Sequence, residues 1–364
     1  MSTFKRFLQY YKPYKGIFFM DLFCALIMCI VDLSFPLILS YCTGKFFLKS
    51  SNEILKGVLF LGIGLLIMYV IRALCRYYVS CQGHVMGANM ESDMRQDLFN
   101  QYQRLSFSYY DKHNTGVMMS RVVSDLFDIC EFAHHGPENL FISLFKIIGS
   151  FIILATIYWP LALILLAVTI VMMVFSYSQN KKMRRTFMEN RKKIGSVNAS
   201  LQDSLGGIRV VQSFANEDIE IDKFNHSNME FLESKKDNYR VMGTFQGGNN
   251  FFQGLLYVTI IVFGGLFIAN GDLNPIVLAT FALYINVFVS PIEVLVEFTE
   301  MFQKGFSGFR RFEEVMNEIP EIQDSKNAKD LKNVSGNIDF DHVSFQYNEN
   351  EKVIDDVNLH IKAG

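Results

Sequence analysis

The stretch LFISLFKIIGSFIILATIYWPLALILLAVTIVMMVFSY, residues 140–177, contains a single charged side chain, Lys146. A helix that crosses a membrane needs about 20 mostly apolar residues. The stretch is therefore long enough for two crossings. We expect them at residues 139–158 and 161–177, separated by a short turn at Trp159 and Pro160.

The rest of the chain contains four more stretches of this kind. Half of the residues are hydrophobic and only 19% are charged, a balance too apolar for a soluble protein of this length. We therefore expect an all-α membrane protein with six long transmembrane helices. The net charge of -2 argues against a nucleic-acid partner, because phosphate contacts need a clustered basic surface. The four additional crossings are predicted at residues 17–40, 55–78, 251–269 and 276–298.

The orientation follows from the basic residues, because loops rich in Lys and Arg stay in the cytoplasm. They concentrate at residues 5–15, 178–240 and 304–311, on one side of the predicted crossings. The other side has three lysines in its first loop and none in the next two turns. We expect a multi-pass protein of the cell membrane with both termini cytoplasmic, and an interfacial segment at residues 1–16.

The two predicted cytoplasmic connections, residues 79–138 and 178–250, are long. They contain Pro137 near the end of the first connection and no proline in the second. A helix that runs unbroken from residue 161 to about residue 205 would be about 68 Å long, more than twice the hydrocarbon thickness. We expect tall helical extensions that project into the cytoplasm.

Each extension reverses at a distinctive motif, RLSFSYYDKHNTGVMMSRVVSDLFDI at residues 104–129 and LQDSLGGIRVVQSFANEDIEIDKF at residues 201–224. Both motifs resemble the intracellular loops of ATP-binding cassette (ABC) exporters of the six-helix, domain-swapped type. FRRFEEVMNEIPEIQD at 309–324 resembles their linker, and VSFQY at 343–347 resembles the first strand of their ATP-binding domain. The resemblance implies a transmembrane domain at 17–308, a linker at 309–335 and the start of an ATP-binding domain at 336–364.

The resemblance also implies specific roles. It places the aromatic ring of Tyr347 against adenine. Two short coupling helices would press into nucleotide-binding domains, and the second would reach a partner subunit, either an identical or a different half-transporter. Their residues are Tyr109, Tyr110, Asp111, Gly116 and Arg121 in the first turn, and Gly207, Ile208, Val211, Phe214 and Glu217 in the second.

The end of the chain alternates between polar and apolar residues, which predicts a short, incomplete β-hairpin at 336–364. In the family, the phosphate-binding G-x-x-x-x-G-K-[ST] loop would follow this hairpin, and the sequence contains no such pattern. We therefore expect ATP and Mg²⁺ to be bound only in the intact parent. This chain should not hydrolyse ATP alone.

Polar residues within the predicted crossings are candidates for a substrate pathway. Asp32 lies about 13 Å from the outer end of the first crossing by helical rise. It is either a structural group bonded to a neighbouring helix or a contact for substrate or protons. Glu293 and Glu297 either meet water at the inner boundary or form an acidic patch that favours cationic amphiphiles, with Lys146 as a partner. Two amides of the fifth helix, Gln246 and Asn250, lie just before its crossing and are expected to face a wet cavity or another helix.

The histidines give no sign of a metal site in the sequence. Seven are scattered along the chain, and the His134 and His135 pair has no partner at metal-ligand spacing. We expect them to be ordinary residues.

The sequence as a whole favours the transmembrane subunit of an ATP-driven exporter of hydrophobic or amphipathic molecules, such as drugs, lipids or peptides. One alternative is an ion-coupled secondary transporter with Asp32 and the glutamates as proton sites. Long continuous helices without an inverted repeat argue against it. The other alternative is a truncated scaffold that does not transport.

Overall fold

The computed structural model describes residues 3–325, 327–330, 332, 334–348 and 351–364. These residues form two units. One is helical and comprises residues 3–104 and 108–318, and the other comprises residues 105–107 together with the described residues after 318.

The described residues contain ten α-helices, several of them linked end to end by short segments of 3₁₀- or π-helix. A 3₁₀-helix spans Leu8–Tyr14, and π-helical turns span Cys42–Phe46, Val79–Gly83 and Arg121–Asp125. The α-helices are α1 Thr3–Phe7, α2 Lys15–Tyr41, α3 Ser51–Tyr78, α4 His84–Tyr102, α5 Phe107–Lys112, α6 Thr115–Ser120, α7 Leu126–Gly206, α8 Ile208–Ser213, α9 Glu217–Ala269 and α10 Pro275–Asn317.

Among the described residues, five helical stretches are long and apolar enough to cross a membrane by length and composition. All six predicted crossings lie within them, and the third helix contains two. The five helices are Lys5–Phe46, Ser51–Tyr102, Thr115–Gly206, Glu217–Ala269 and Pro275–Asn317.

Helix α7 is a hairpin rather than a straight rod. Its backbone leaves the helical conformation at Tyr158, where φ is -158° and ψ is 94°, two residues before Pro160. The Phe132 ring lies 6.3 Å from that of Phe298, and the Asn180 side-chain amide donates to the Val296 carbonyl at 3.0 Å. Residues well before and well after Tyr158 therefore lie beside the same turn of α10. The two arms, residues 126–157 and 159–206, supply the two predicted crossings.

The main apolar core lies between the arms of α7 and helices α9 and α10. Phe288 of α10 is fully buried, and its ring centroid is 4.9 Å from that of Phe151. Lipid tails are as apolar as these side chains, so close packing rather than escape from water holds such helices together. Buried members of the core are Leu33, Leu154, Leu161, Leu165, Met172, Leu256, Ile260, Phe281, Tyr284, Ile285, Phe288 and Ile292.

Two glycines allow α10 to approach the start of α7 closely. A Cβ atom on Gly305 would lie 2.4 Å from the Cβ atom of Phe132, and one on Gly308 would lie 3.1 Å from the Asp125 carbonyl oxygen. Only a residue without a side chain fits at Gly305 unless the two helices separate.

The second unit contains the predicted hairpin. Strand β1, Ile338–Asn348, pairs antiparallel with β2, Glu351–Ile361, and Ile338 lies opposite Ile361. The pairing has irregularities near His342 and Asp356, whose φ angles are 50° and 57°. Tyr347 belongs to β1, but its side chain lies outside the described residues.

Replacing Gly305 by Ala should lower the free energy of unfolding by about 1–3 kcal/mol, because the added methyl group overpacks the contact with Phe132. The matched control is Gly254→Ala in α9, where a Cβ atom would meet nothing within 4 Å. That change should be neutral or stabilising, because Ala is the better helix former. Thermal unfolding in detergent micelles compares the two. Equal midpoints would contradict the proposed close contact.

Candidate functional site

The first turn, around α5 and α6, is held by contacts within itself. Asn114 caps α6, and its side-chain oxygen accepts from the Gly116 N–H at 2.7 Å. The buried Tyr109 ring stacks on His113 with ring centroids 4.0 Å apart. The hydroxyl group of Tyr110 donates to the Tyr102 carbonyl. Asp111 is exposed, and Asn114 is the capping residue.

The same turn is tied to the end of α10. The Arg311 guanidinium donates two hydrogen bonds to the buried Asp125 carboxylate, at 2.6 and 2.7 Å. Arg121 lies 3.7 Å from Glu314, one turn further along α10. Asp125 ends the S-R-x-x-x-D pattern of the first motif, but its partner lies 186 residues away in the chain. No local sequence signal links the two.

The second turn connects α7 to α9 through α8. The Gly207 N–H donates to the Asp203 carbonyl at 2.9 Å, and the Val211 N–H donates to the Gly207 carbonyl at 3.1 Å. Ala215 takes a positive φ of 51° at the exit. Glu217 is exposed at the start of α9. The turn lies about 44 Å beyond Tyr177, the end of the predicted crossing, by helical rise.

Apolar side chains of the second turn face outward. Phe214 is 72% exposed and Val210 is 62% exposed, whereas Val211 is half-buried. Beside them, a groove of ≈ 300 Å³ opens between the ends of α7 and α9. Ile208, Val211 and Glu217 are among the residues that line it. An exposed aromatic ring beside an apolar groove, far from lipid, has the character of a docking surface.

Asp32 lies in an ion-pair network inside the membrane. The Arg72 Nε donates to one carboxylate oxygen of Asp32 at 2.7 Å, and the Lys146 Nζ lies 2.6 Å from the other. The prediction that Lys146 pairs with a glutamate of α10 is wrong, because Asp32 occupies it. Arg72 was not identified as a functional residue, although an arginine inside an apolar stretch is a usable signal.

A second group of polar residues lies about eleven residues from the Asp32, Arg72 and Lys146 network, along the same three helical segments. Asp21 of α2 faces Gly83, whose added Cβ would lie 3.2 Å from the Asp21 Oδ1 atom. His84, His134 and His135 meet at this level, each with a ring nitrogen within 4.8 Å of the others. The expectation that the His134 and His135 pair lacks a partner is wrong, because the start of α4 brings His84 to them.

The polar residues of α9 and α10 form a buried group and an exposed group. Asn249 is buried and accepts from the Ser176 hydroxyl at 2.6 Å, whereas Gln246 and Asn250 are exposed. Glu293 and Glu297 are also exposed, on the side of α10 away from the apolar core. The expected substrate-pathway residues of these two helices therefore remain accessible in the single chain.

Comparison with known proteins agrees with this architecture. Residues 18–292 match the model of the ABC transporter transmembrane region. Over 99% of its length the chain is 37% identical to the uncharacterized ABC transporter ATP-binding protein YwjA of Bacillus subtilis. Over its full length it is 25% identical to an ATP-dependent lipid A-core flippase of Syntrophus aciditrophicus, and 26% identical to the putative multidrug export ATP-binding/permease protein YgaD of Bacillus subtilis.

The chain spans 62%, 60% and 63% of the lengths of these three relatives. The match to the family model covers most of the helical unit, including four of the six predicted crossings in full and all but residue 17 of the first. It ends inside α10, which carries the sixth crossing. The chain is a multi-pass membrane protein that belongs to the family of ABC transporter transmembrane regions.

Proposed function

We propose that the chain is the transmembrane part of an ATP-driven exporter, which moves hydrophobic or amphipathic molecules out of the cytoplasm by alternating access. The observation that carries this proposal is the exposed apolar surface of the second turn, formed by Val210 and Phe214 far from the lipid. Soluble surfaces rarely leave such groups uncovered without a partner.

The partner proposed for this surface is a nucleotide-binding domain. The first turn is proposed to bind a second nucleotide-binding domain. The second turn presents Phe214 as an exposed anchor suited to a pocket, and the long arms of α7 and α9 join this turn to the crossings. Motion of a nucleotide-binding domain would therefore reach the membrane through continuous helices. The exporter would work as a dimer of two such half-transporters in the cell membrane, with both termini in the cytoplasm.

ATP and Mg²⁺ would be bound by the nucleotide-binding domain. The sequence lacks a phosphate-binding loop, and the described residues of the hairpin provide no substitute for one. Tyr347 is proposed to stack on adenine, a contact that needs only a flat exposed ring. No step of ATP hydrolysis is assigned to residues of this chain.

Cargo would enter between the crossings. Gln246 and Asn250 of α9 and Glu293 and Glu297 of α10 are exposed and suit the wall of a wet cavity. Drugs, lipids and peptides all fit this description, and the names of the relatives mention lipid and multidrug export. The ion-coupled alternative is weaker, because Asp32, its main proton site, already contacts two cations.

Replacing Phe214 by Ala should uncouple ATP hydrolysis from transport, because truncating a central aromatic anchor costs about 2 kcal/mol or more of docking energy. The assay measures substrate-stimulated ATPase activity and dye transport by the full-length protein in liposomes. Both should fall several-fold while basal ATPase activity persists.

Phe187→Ala is the matched control for Phe214→Ala, because Phe187 is another exposed phenylalanine on the long arm of α7 but lies away from the turn. It should leave coupling intact. Wild-type coupling in Phe214→Ala would remove the docking role of the second turn. A protein without any transport would favour the scaffold alternative.

Replacing Glu293 and Glu297 together by Gln should weaken export of cationic dyes more than export of neutral dyes, because the acidic patch attracts positive charge. The control is Glu300→Gln on the same helix, whose carboxylate already pairs with Lys304 at 2.7 Å. Vesicle transport of matched cationic and neutral dyes measures the difference. Equal losses for the two dyes would contradict an acidic substrate pathway.

A further inference from the structure

Three histidine rings meet where α2, the junction of α3 and α4, and the first arm of α7 come together. The ring centroid of His134 lies 4.6 Å from that of His84 and 4.0 Å from that of His135. One ring nitrogen from each lies within 4.8 Å of the other two. Imidazole nitrogens are the preferred ligands of Zn²⁺ and its neighbours in the first transition series.

One histidine is oriented in the way that metal ligands are. The Nδ1 atom of His134 lies 2.7 Å from the carbonyl oxygen of Cys130. A carbonyl only accepts, so Nδ1 carries the hydrogen and Nε2 keeps its lone pair. Ligating histidines commonly have this arrangement, with the second nitrogen held by a backbone carbonyl or a carboxylate.

The remaining nitrogen of His134 is buried without a partner. His134 is 6% exposed, and its Nε2 atom makes no hydrogen bond among the described residues. Buried polar atoms are nearly always satisfied, so an unpaired one in a folded core calls for a missing ligand. Gly87 leaves room for the ring, because a Cβ atom there would lie 2.7 Å from Nδ1.

Carboxyl groups surround the three rings. Glu131 lies 4.0 Å from His134 and 3.9 Å from His135, and Glu138 lies 3.7 Å from the other nitrogen of His135. Asp21 is buried beside them, and its Oδ1 atom also lacks a hydrogen-bond partner among the described residues. Buried acidic groups without matching cations are costly, and a divalent ion would compensate for them.

We infer that His84, His134 and His135 form a binding site for a divalent transition-metal ion such as Zn²⁺, supported by Glu131 and Glu138. Zinc–nitrogen bonds of 2.0–2.1 Å place two ligand nitrogens about 3.4 Å apart in a tetrahedral site, so the rings need to close by up to about 1.4 Å. Three protein ligands leave the fourth position to water or to a carboxylate.

The site would join separate elements of the transmembrane unit. His84 begins α4 at the end of the second crossing, and His134 and His135 precede the third crossing. A bound ion would therefore fix the two helices against each other, and against α2 through Asp21. This inference concerns a site apart from the coupling turns and does not depend on the proposed transport activity.

The test is an equilibrium titration of the metal-stripped, purified chain in nanodiscs with Zn²⁺ against a chromophoric chelator. The wild-type chain should bind one Zn²⁺, and Zn²⁺ should raise its thermal unfolding midpoint. His84→Gln, which changes an exposed ligand and should fold normally, should lower the affinity at least 10-fold and remove the thermal shift. Glu138→Gln should weaken binding by about 10- to 100-fold, as supporting carboxylates do.

The control is His226→Gln, an exposed histidine that lies 3.4 Å from Glu230 on α9. His342→Gln in the hairpin serves as a second control, because His342 lies beside Asp356. Both should keep wild-type stoichiometry and affinity. The inference is overturned if the wild-type chain binds no Zn²⁺, or if His84→Gln binds it as tightly as the two controls do.

Discussion

The proposed transmission of motion from the first turn to the membrane depends on the ion pair between Asp125 and Arg311. The pair joins the first turn to the end of α10, and the close approach at Gly305 and Gly308 holds the same two segments together. Helix α10 is continuous from the sixth predicted crossing to Asn317. In the proposed exporter, a displacement of the first turn would therefore be transmitted to the helix that carries the exposed Glu293 and Glu297.

Within the membrane, polar contacts replace the hydrophobic effect as the source of specific helix pairing. The Asp32, Arg72 and Lys146 network lies within the predicted crossings, and the three histidines lie eleven or twelve residues from it, about 17 Å along each helix, in the predicted cytoplasmic connection. Both groups join the same three segments: α2, the α3 and α4 pair, and the first arm of α7. Because polar contacts occur at two levels on the same faces of these helices, they determine how each helix is rotated about its axis as well as how close the helices lie.

Much of the fold could be predicted from the sequence, because apolar length and the placement of charges are local signals. The six crossings, the tall extensions and the hairpin followed from them. Side-chain contacts between residues far apart in the chain could not be predicted from these local signals. Nothing near Asp125 indicates Arg311, and nothing near His134 indicates His84, because helix packing alone brings them together. Arg72 was an exception, since its charge stood inside an apolar stretch and could have been recognised as the partner of Asp32.

A double-mutant cycle across Asp125 and Arg311 tests the central claim most directly. The free energy of unfolding would be measured for the wild-type chain, Asp125→Asn, Arg311→Gln and the double variant in mixed micelles. A charged, doubly hydrogen-bonded pair predicts a coupling energy of about 1.5–3 kcal/mol, so the second change should cost little once the first is made. Effects that add to within about 0.5 kcal/mol would show that the first turn is not fastened to α10.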